Sequence, residues 1–152
     1  MISLNPIGFA YNERREMEDD NWGGIVTKII LEPSVSEDSL NEIESFSHLD
    51  IIFYFHKVNQ KRISTGARHP RNDESLPKVG IFAQRGKNRP NQLGHTTVRI
   101  MKREGRELSV IGLDCINETP ILDIKPVMKE FLPSEPIFQP NWTKDIMKNY
   151  WN

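Results

Sequence analysis

Apolar residues in this chain fall in short runs separated by polar, proline-bearing and glycine-bearing breaks, a pattern that predicts strands rather than long helices. Ile7 to Tyr11 follows Pro6 and reads as a first strand, since a missing ladder donor is tolerated at a strand start. Gly24 to Leu31 reads as a second. Leu49 to Val58 is strongly apolar and predicts a central strand ended by His56 and Lys57. Val79 to Ala83 reads as a short buried strand, its β-branched and aromatic residues suiting a pleated surface. His95 to Lys102 and Glu107 to Leu113 flank Arg103-Glu104-Gly105-Arg106 and predict a hairpin. Ile121 to Pro126 alternates apolar and charged residues as one more strand.

Helical spacing is confined to two places. Ser36 to Phe46 has a serine cap, acidic residues in its first turn, and Leu40, Ile43 and Phe46 on one side. Near the end, Trp142, Ile146, Met147 and Tyr150 share one stripe, as in a helix that caps the sheet or makes a dimer contact. The whole pattern, six or seven short strands with two short helices, predicts a mainly-β barrel or sheet. Residues 1–152 read as a single domain, with a proline-rich tail and terminal helix over 126–152.

Charge narrows the partners only locally. The net charge is −1, so any nucleic-acid contact must come from basic patches rather than from the chain as a whole. One cysteine, Cys115, excludes an internal disulfide and fits a reducing compartment. The sequence shows no leader and no apolar run long enough for a bilayer, so a cytoplasmic protein with no membrane partner is expected.

The candidate chemistry lies in loops. Gln84 to Gly94 is dense in Arg, Gly, Lys, Asn and Pro; alone it reads equally as a basic surface hairpin. Asp114 to Pro120 is the second polar loop. Brought to one end of a sheet, the two would set Arg85, Arg89 and Asn91 opposite Asp114, Asn117 and Asp123, a rim suited to a zwitterionic ligand. Asn59 to Lys78 is a long cationic connection of the kind that is usually functional or mobile. Glu16 to Asp20 reads as a solvated acidic loop, and Trp22-Gly23-Gly24 as a tight turn. No histidine has a zinc-type spacing with Cys115, so no metal is expected, and Cys115 lacks an evident partner base.

Two motifs carry a family resemblance. Gly80-Ile81-Phe82-Ala83-Gln84-Arg85, with Arg89-Pro90-Asn91-Gln92-Leu93-Gly94, and Leu113-Asp114 through Thr119-Pro120-Ile121-Leu122-Asp123-Ile124-Lys125-Pro126, closely resemble the TrmO (YaeB-like) family. The resemblance runs from about Pro6 to Pro126. With the strand pattern it implies a small closed or nearly closed β-barrel of about six to seven strands with a few short helices. Its implied activity is methyl transfer from S-adenosylmethionine, without a metal, to the exocyclic nitrogen of threonylcarbamoyladenosine beside the tRNA anticodon, by a homodimer. It implies donor-binding roles for His56, Lys57, Arg85, His95, Asp114, Cys115, Ile116 and Asn117. Arg89, Asn91 and Lys125 are candidates for the acceptor, and Asp123, His56 and His95 for the base that takes the departing proton. Methyl transfer to a small acceptor other than tRNA, or S-adenosylmethionine binding without transfer, is the alternative. The chain departs from the family pattern at Gln92, where the family has proline, and at Asn117-Glu118, where it has Asp-Gly. The acidic Glu18-Asp19-Asp20 segment stands where the family has a P-R-Q loop.

Overall fold

Strict alternation on one strand sets the architecture. Along His48–Tyr54 (β3), Leu49, Ile51 and Phe53 point inward and are 0–1% exposed, while the residues between them face outward. The computed structural model describes residues 1–152. Its strands are Gly8–Tyr11 (β1), Val26–Leu31 (β2), His48–Tyr54 (β3), Ala67–Arg68 (β4), Val79–Gly80 (β5), Leu93–Glu104 (β6), Glu107–Ile111 (β7) and Pro120–Pro126 (β8). Six of them close into an antiparallel barrel in the order β1-β2-β7-β6-β3-β8, and β4 and β5 form a separate ribbon. The barrel shuts where β1 meets β8, Gly8 opposite Ile121 and Phe9 opposite Pro120. Closure leaves no free edge in the barrel, and the mainly-β expectation holds.

The inward residues of all six strands form one core of Ala10, Ile29, Leu49, Ile51, Phe53, Val98, Leu108, Val110 and Ile121, joined by Leu113 and Cys115 from the loop after β7. The predicted hairpin forms with a two-residue turn, Glu104 opposite Glu107, and Gly105 at φ +59° takes the left-handed position. The β3–β8 register shifts between Ile52 and Phe53, where β8 carries one extra residue, Leu122, and bends at the mouth of the barrel.

Three expectations need correction. Ser36 to Phe46 is not one α-helix. Ser36 caps as expected, its hydroxyl accepting from the Asp38 N–H at 3.2 Å, but Glu37–Leu40 and Ile43–Ser45 are separate 3₁₀ turns. Glu42 lies between them at φ +67°, which ends any continuous helix, and Leu40 alone is buried. Val79 to Ala83 is a strand for two residues only. Ile81–Ala83 then turns, burying Ile81 and leaving Phe82 76% exposed. The central strand stops at Tyr54, so His56 sits in the loop beyond it. The terminal helix is present as Asn141–Met147 (α1).

Candidate functional site

The mouth of the barrel opens into a cavity of about 860 Å³, within the range of small-molecule sites. Its floor is the inner end of β3 and β6 with the loop after β7. Gly94 sits flat against the Phe53 ring; a Cβ there would lie 2.3 Å from that ring, so only glycine lets the two strands approach. Phe53 and Phe55 pack edge to face with centroids 5.2 Å apart.

Of the residues singled out in the sequence, the cavity gathers His56, Lys57, Arg85, Arg89, His95, Asp114, Cys115 and Ile116. Arg85 donates to the His95 carbonyl at 2.6 Å, which joins the two ends of the Gln84 to His95 loop. Arg89 donates to the Gln84 carbonyl at 2.8 Å and to that of Gly86 at 3.3 Å, bracing the same loop from inside. Both oxygens of Asp114 are engaged: the Thr96 hydroxyl donates to Oδ1 and the Tyr150 hydroxyl to Oδ2. Each oxygen keeps a second lone pair for a ligand. Burial, then the Asp114 charge, pushes the Tyr150 phenol well above its usual range, so it remains a proton donor.

His56 is held in the opposite sense. Burial first, then the adjacent Lys57 charge, lowers its pKa from the ordinary 6.5 against a smaller opposing effect of Glu118. Its Nε2 is buried with no hydrogen-bond partner. A neutral ring with an unpartnered nitrogen at the edge of a cavity is equipped to accept a proton or a ligand N–H.

Four sequence candidates stand outside the cavity. Asn117 is spent on the scaffold: its N–H donates to the Arg14 carbonyl at 2.7 Å and its Oδ1 accepts from the Asn12 N–H at 3.0 Å. Asn91 is exposed in the turn before β6, at φ +64°. Asp123 and Lys125 pair with each other at 3.0 Å on the outer face of the barrel. Asp123 shares a row with Ile52 and His95, which puts it about 10 Å from His95 across two strand spacings. That separation, and its solvated pairing, take Asp123 away from any chemistry in the cavity. His95 also faces outward; it reaches the rim of the cavity with Nε2 3.3 Å from Asp50, whose Oδ1 accepts from Thr97 at 2.6 Å. Cys115 is buried, and burial drives its thiol far above the reactive range. What Cys115 contributes is its carbonyl, which accepts from Asn12 at 2.9 Å.

Sequence reasoning missed the residues that order the early loop. Arg14 donates to the carbonyls of Asp20 and Asn21 at 2.7 and 3.1 Å and lies 4.3 Å from the centroid of the Trp22 ring. An arginine ahead of an acidic run and a tryptophan was the available signal. The cationic connection also reaches the site, with Arg68 and Arg71 in the wall and Arg71 bonded to Asp20 at 3.0 Å. Six cationic side chains line the cavity against three carboxylates, so a chain of net charge −1 presents a locally positive mouth.

Gln92, the departure from the family pattern, is a buried node of the rim. Its Nε2 donates to the Phe55 carbonyl at 2.8 Å, and its Oε1 accepts from Gln60 at 2.5 Å and Tyr54 at 3.3 Å. Its φ of +52° is closed to proline, whose ring fixes φ near about −65°.

The chain is similar to known proteins in sequence and in fold. Residues 6–131 match the family model of the tRNA-methyltransferase O N-terminal domain. A probable S-adenosyl-L-methionine-binding protein of Pyrococcus abyssi is 35% identical over 136 residues, 86% of this chain and 71% of that protein. The human tRNA (adenine(37)-N6)-methyltransferase is 36% identical over 104 residues, which are 68% of this chain but 23% of the human one. A crystal structure of TrmO from P. aeruginosa superposes with a TM-score of 0.75 at 24% identity, covering 93% of this chain and 62% of that one, and shows the shared fold.

Proposed function

The chain belongs to the tRNA-methyltransferase O family, and from that premise we propose that it transfers a methyl group from S-adenosylmethionine to adenine in tRNA. The acceptor in this reading is the exocyclic nitrogen of threonylcarbamoyladenosine beside the anticodon. The observation that carries it is the single cavity that collects His56, Lys57, Arg85, His95 and the Asp114 to Ile116 segment from four separate stretches of chain.

The residues present suit the donor. Bound S-adenosylmethionine supplies an electrophilic methyl carbon on a sulfonium, displaced in line without a metal. Asp114, its two hydroxyl bonds leaving one lone pair on each oxygen, offers a fixed carboxylate for a cationic or hydroxyl-bearing group. Arg85 is anchored on the His95 carbonyl and keeps further N–H groups for a carboxylate or phosphate. His56, which lines the cavity with a neutral ring and one unpartnered ring nitrogen, takes the proton that leaves the acceptor nitrogen. The rest of the rate enhancement falls to positioning of nucleophile against methyl. The cationic rim of Arg68, Arg71 and Lys87 supports contact with tRNA phosphates, and a tRNA substrate supports a cytoplasmic location. No helix is long and apolar enough to cross a membrane. Exposed Phe131, Ile137 and Phe138 on the segment after β8 support a homodimer built over that surface. Residues 1–152 then act as one methyltransferase domain with 126–152 as its tail.

The test is incubation of the chain with methyl-labelled S-adenosylmethionine and tRNA that carries threonylcarbamoyladenosine. Label in the modified adenosine is the expected result, and Arg85→Ala should weaken donor binding about tenfold or more. Tight donor binding with no transfer would favour a donor-binding protein, the description its archaeal relative carries. Absence of donor binding would end the reading.

A further inference from the structure

Residues beyond 131 lie outside the family-matched segment, yet one whole wall of the cavity is made from them. Trp142, Ile146, Met147, Tyr150 and Trp151 all line it. α1 is seven residues long with none buried, too short to persist on its own propensity. Three hydrogen bonds hold the wall instead. The N–H groups of Asn21 and Trp22 donate to the carbonyls of Asn149 and Tyr150 at 3.0 and 2.8 Å, and the Tyr150 hydroxyl reaches Asp114 on the floor. Gly23 completes the seat: a Cβ there would stand 2.0 Å from the Trp151 carbonyl oxygen, so the wall docks only against glycine.

The wall is aromatic, and the cations of the cavity come from other stretches of the chain. Trp151 stands edge to face on Tyr150, centroids 4.8 Å apart, and keeps 46% of its surface exposed. An indole face beside a cavity rimmed with arginines matches a planar base attached to a charged or phosphorylated group. We propose that residues 141–151 form the wall that receives an adenine ring, with Trp142 and Trp151 as its stacking surface and the Tyr150–Asp114 bond as its clamp. The proposal rests on the methyltransferase reading and deepens it. Donor and acceptor both carry adenine, so the chemistry is shared and experiment separates the sources.

Three full-length variants test it: Trp142→Leu and Trp151→Leu remove the indole faces, and Gly23→Ala displaces the wall without changing any lining residue. Affinity for S-adenosylhomocysteine is measured by calorimetry, and affinity for an anticodon stem-loop RNA with the modified adenosine by anisotropy. The expected result is about tenfold or greater weakening of one ligand in the indole variants, with the same ligand affected in Gly23→Ala. Loss confined to S-adenosylhomocysteine assigns the wall to the donor, and loss confined to the RNA assigns it to the acceptor. Should Gly23→Ala fail to fold, the two indole variants carry the test. Variants that all bind both ligands within twofold of the wild type overturn the wall alone. A wild-type chain that binds neither ligand overturns the methyltransferase reading and the wall with it.

Discussion

The barrel and the C-terminal wall share one cavity but are held by unlike forces. Leu49, Ile51 and Phe53 lie between two antiparallel ladders and are almost fully removed from water. α1 buries no residue, and the end of the chain is tied down by the hydrogen bonds to the Asn21-Trp22 turn and to Asp114. Close packing makes the first region stiff and cooperative with global folding, while the second can open locally at little cost. A site built this way has a packed floor, which places Asp114 and Gly94, and one side held mainly by hydrogen bonds.

The sharpest break in that contrast is made from inside the barrel. Leu49→Ala should cost about 2–5 kcal/mol in urea unfolding, because the ladders on either side prevent the cavity from collapsing. A loss well under about 1 kcal/mol would mean the barrel is as loosely packed as the wall. Gln92→Pro, which restores the family residue, should cost about 3 kcal/mol, since the native φ is closed to proline and the bonds to Phe55, Tyr54 and Gln60 disappear. Trp142→Leu should shift the same unfolding curve by about 1 kcal/mol or less, its helix having no buried residue. A larger shift would make the wall part of the cooperative core.

A smaller effect separates the two regions by pH. The His56 pKa is lowered from 6.5 in the folded chain, so the unfolded chain takes up the proton first as pH falls. Stability therefore contains a contribution present above pH 6.5 and lost as pH drops through the lowered value. His56→Gln should flatten that slope, and an unchanged slope would remove the buried, neutral histidine. The smallest effect is expected on the outer face. Asp123→Asn breaks an exposed pair with Lys125 and should leave stability within about 0.5 kcal/mol and donor affinity unchanged. A marked loss of methyl transfer in that variant would return Asp123 to the site.

Much of the candidate site was legible in the chain because motif residues travel in short segments. Arg85 and Asp114 follow apolar runs and His95 stands near the start of a strand, and closing a barrel brings strand ends together at one rim. Alternation could not say which face of a strand each residue takes relative to that rim. Hence Asp123 and His95 looked equivalent in sequence, while the register of β3 with its two neighbours puts them in one outer row, only His95 reaching the cavity. Asn117 read as a ligand group because amides serve ligands and scaffolds alike; its bonds to Asn12 and Arg14 tie its Oδ1 and N–H to the scaffold. The broken helix at Ser36 to Phe46 failed for a local reason, a left-handed residue at Glu42 that helical spacing does not register.

The sequence by itself determined the mainly-β class, the hairpin at Gly105, the strand of Leu49, Ile51 and Phe53, and the family motifs, since these rest on periodicity and local chemistry. Tertiary structure alone decided that β1 closes onto β8, that Gln92 anchors the rim, and that the last helix swings back to seat Tyr150 on Asp114. Each of these joins residues far apart in the chain, and such contacts are fixed by register and packing rather than by any neighbouring residue.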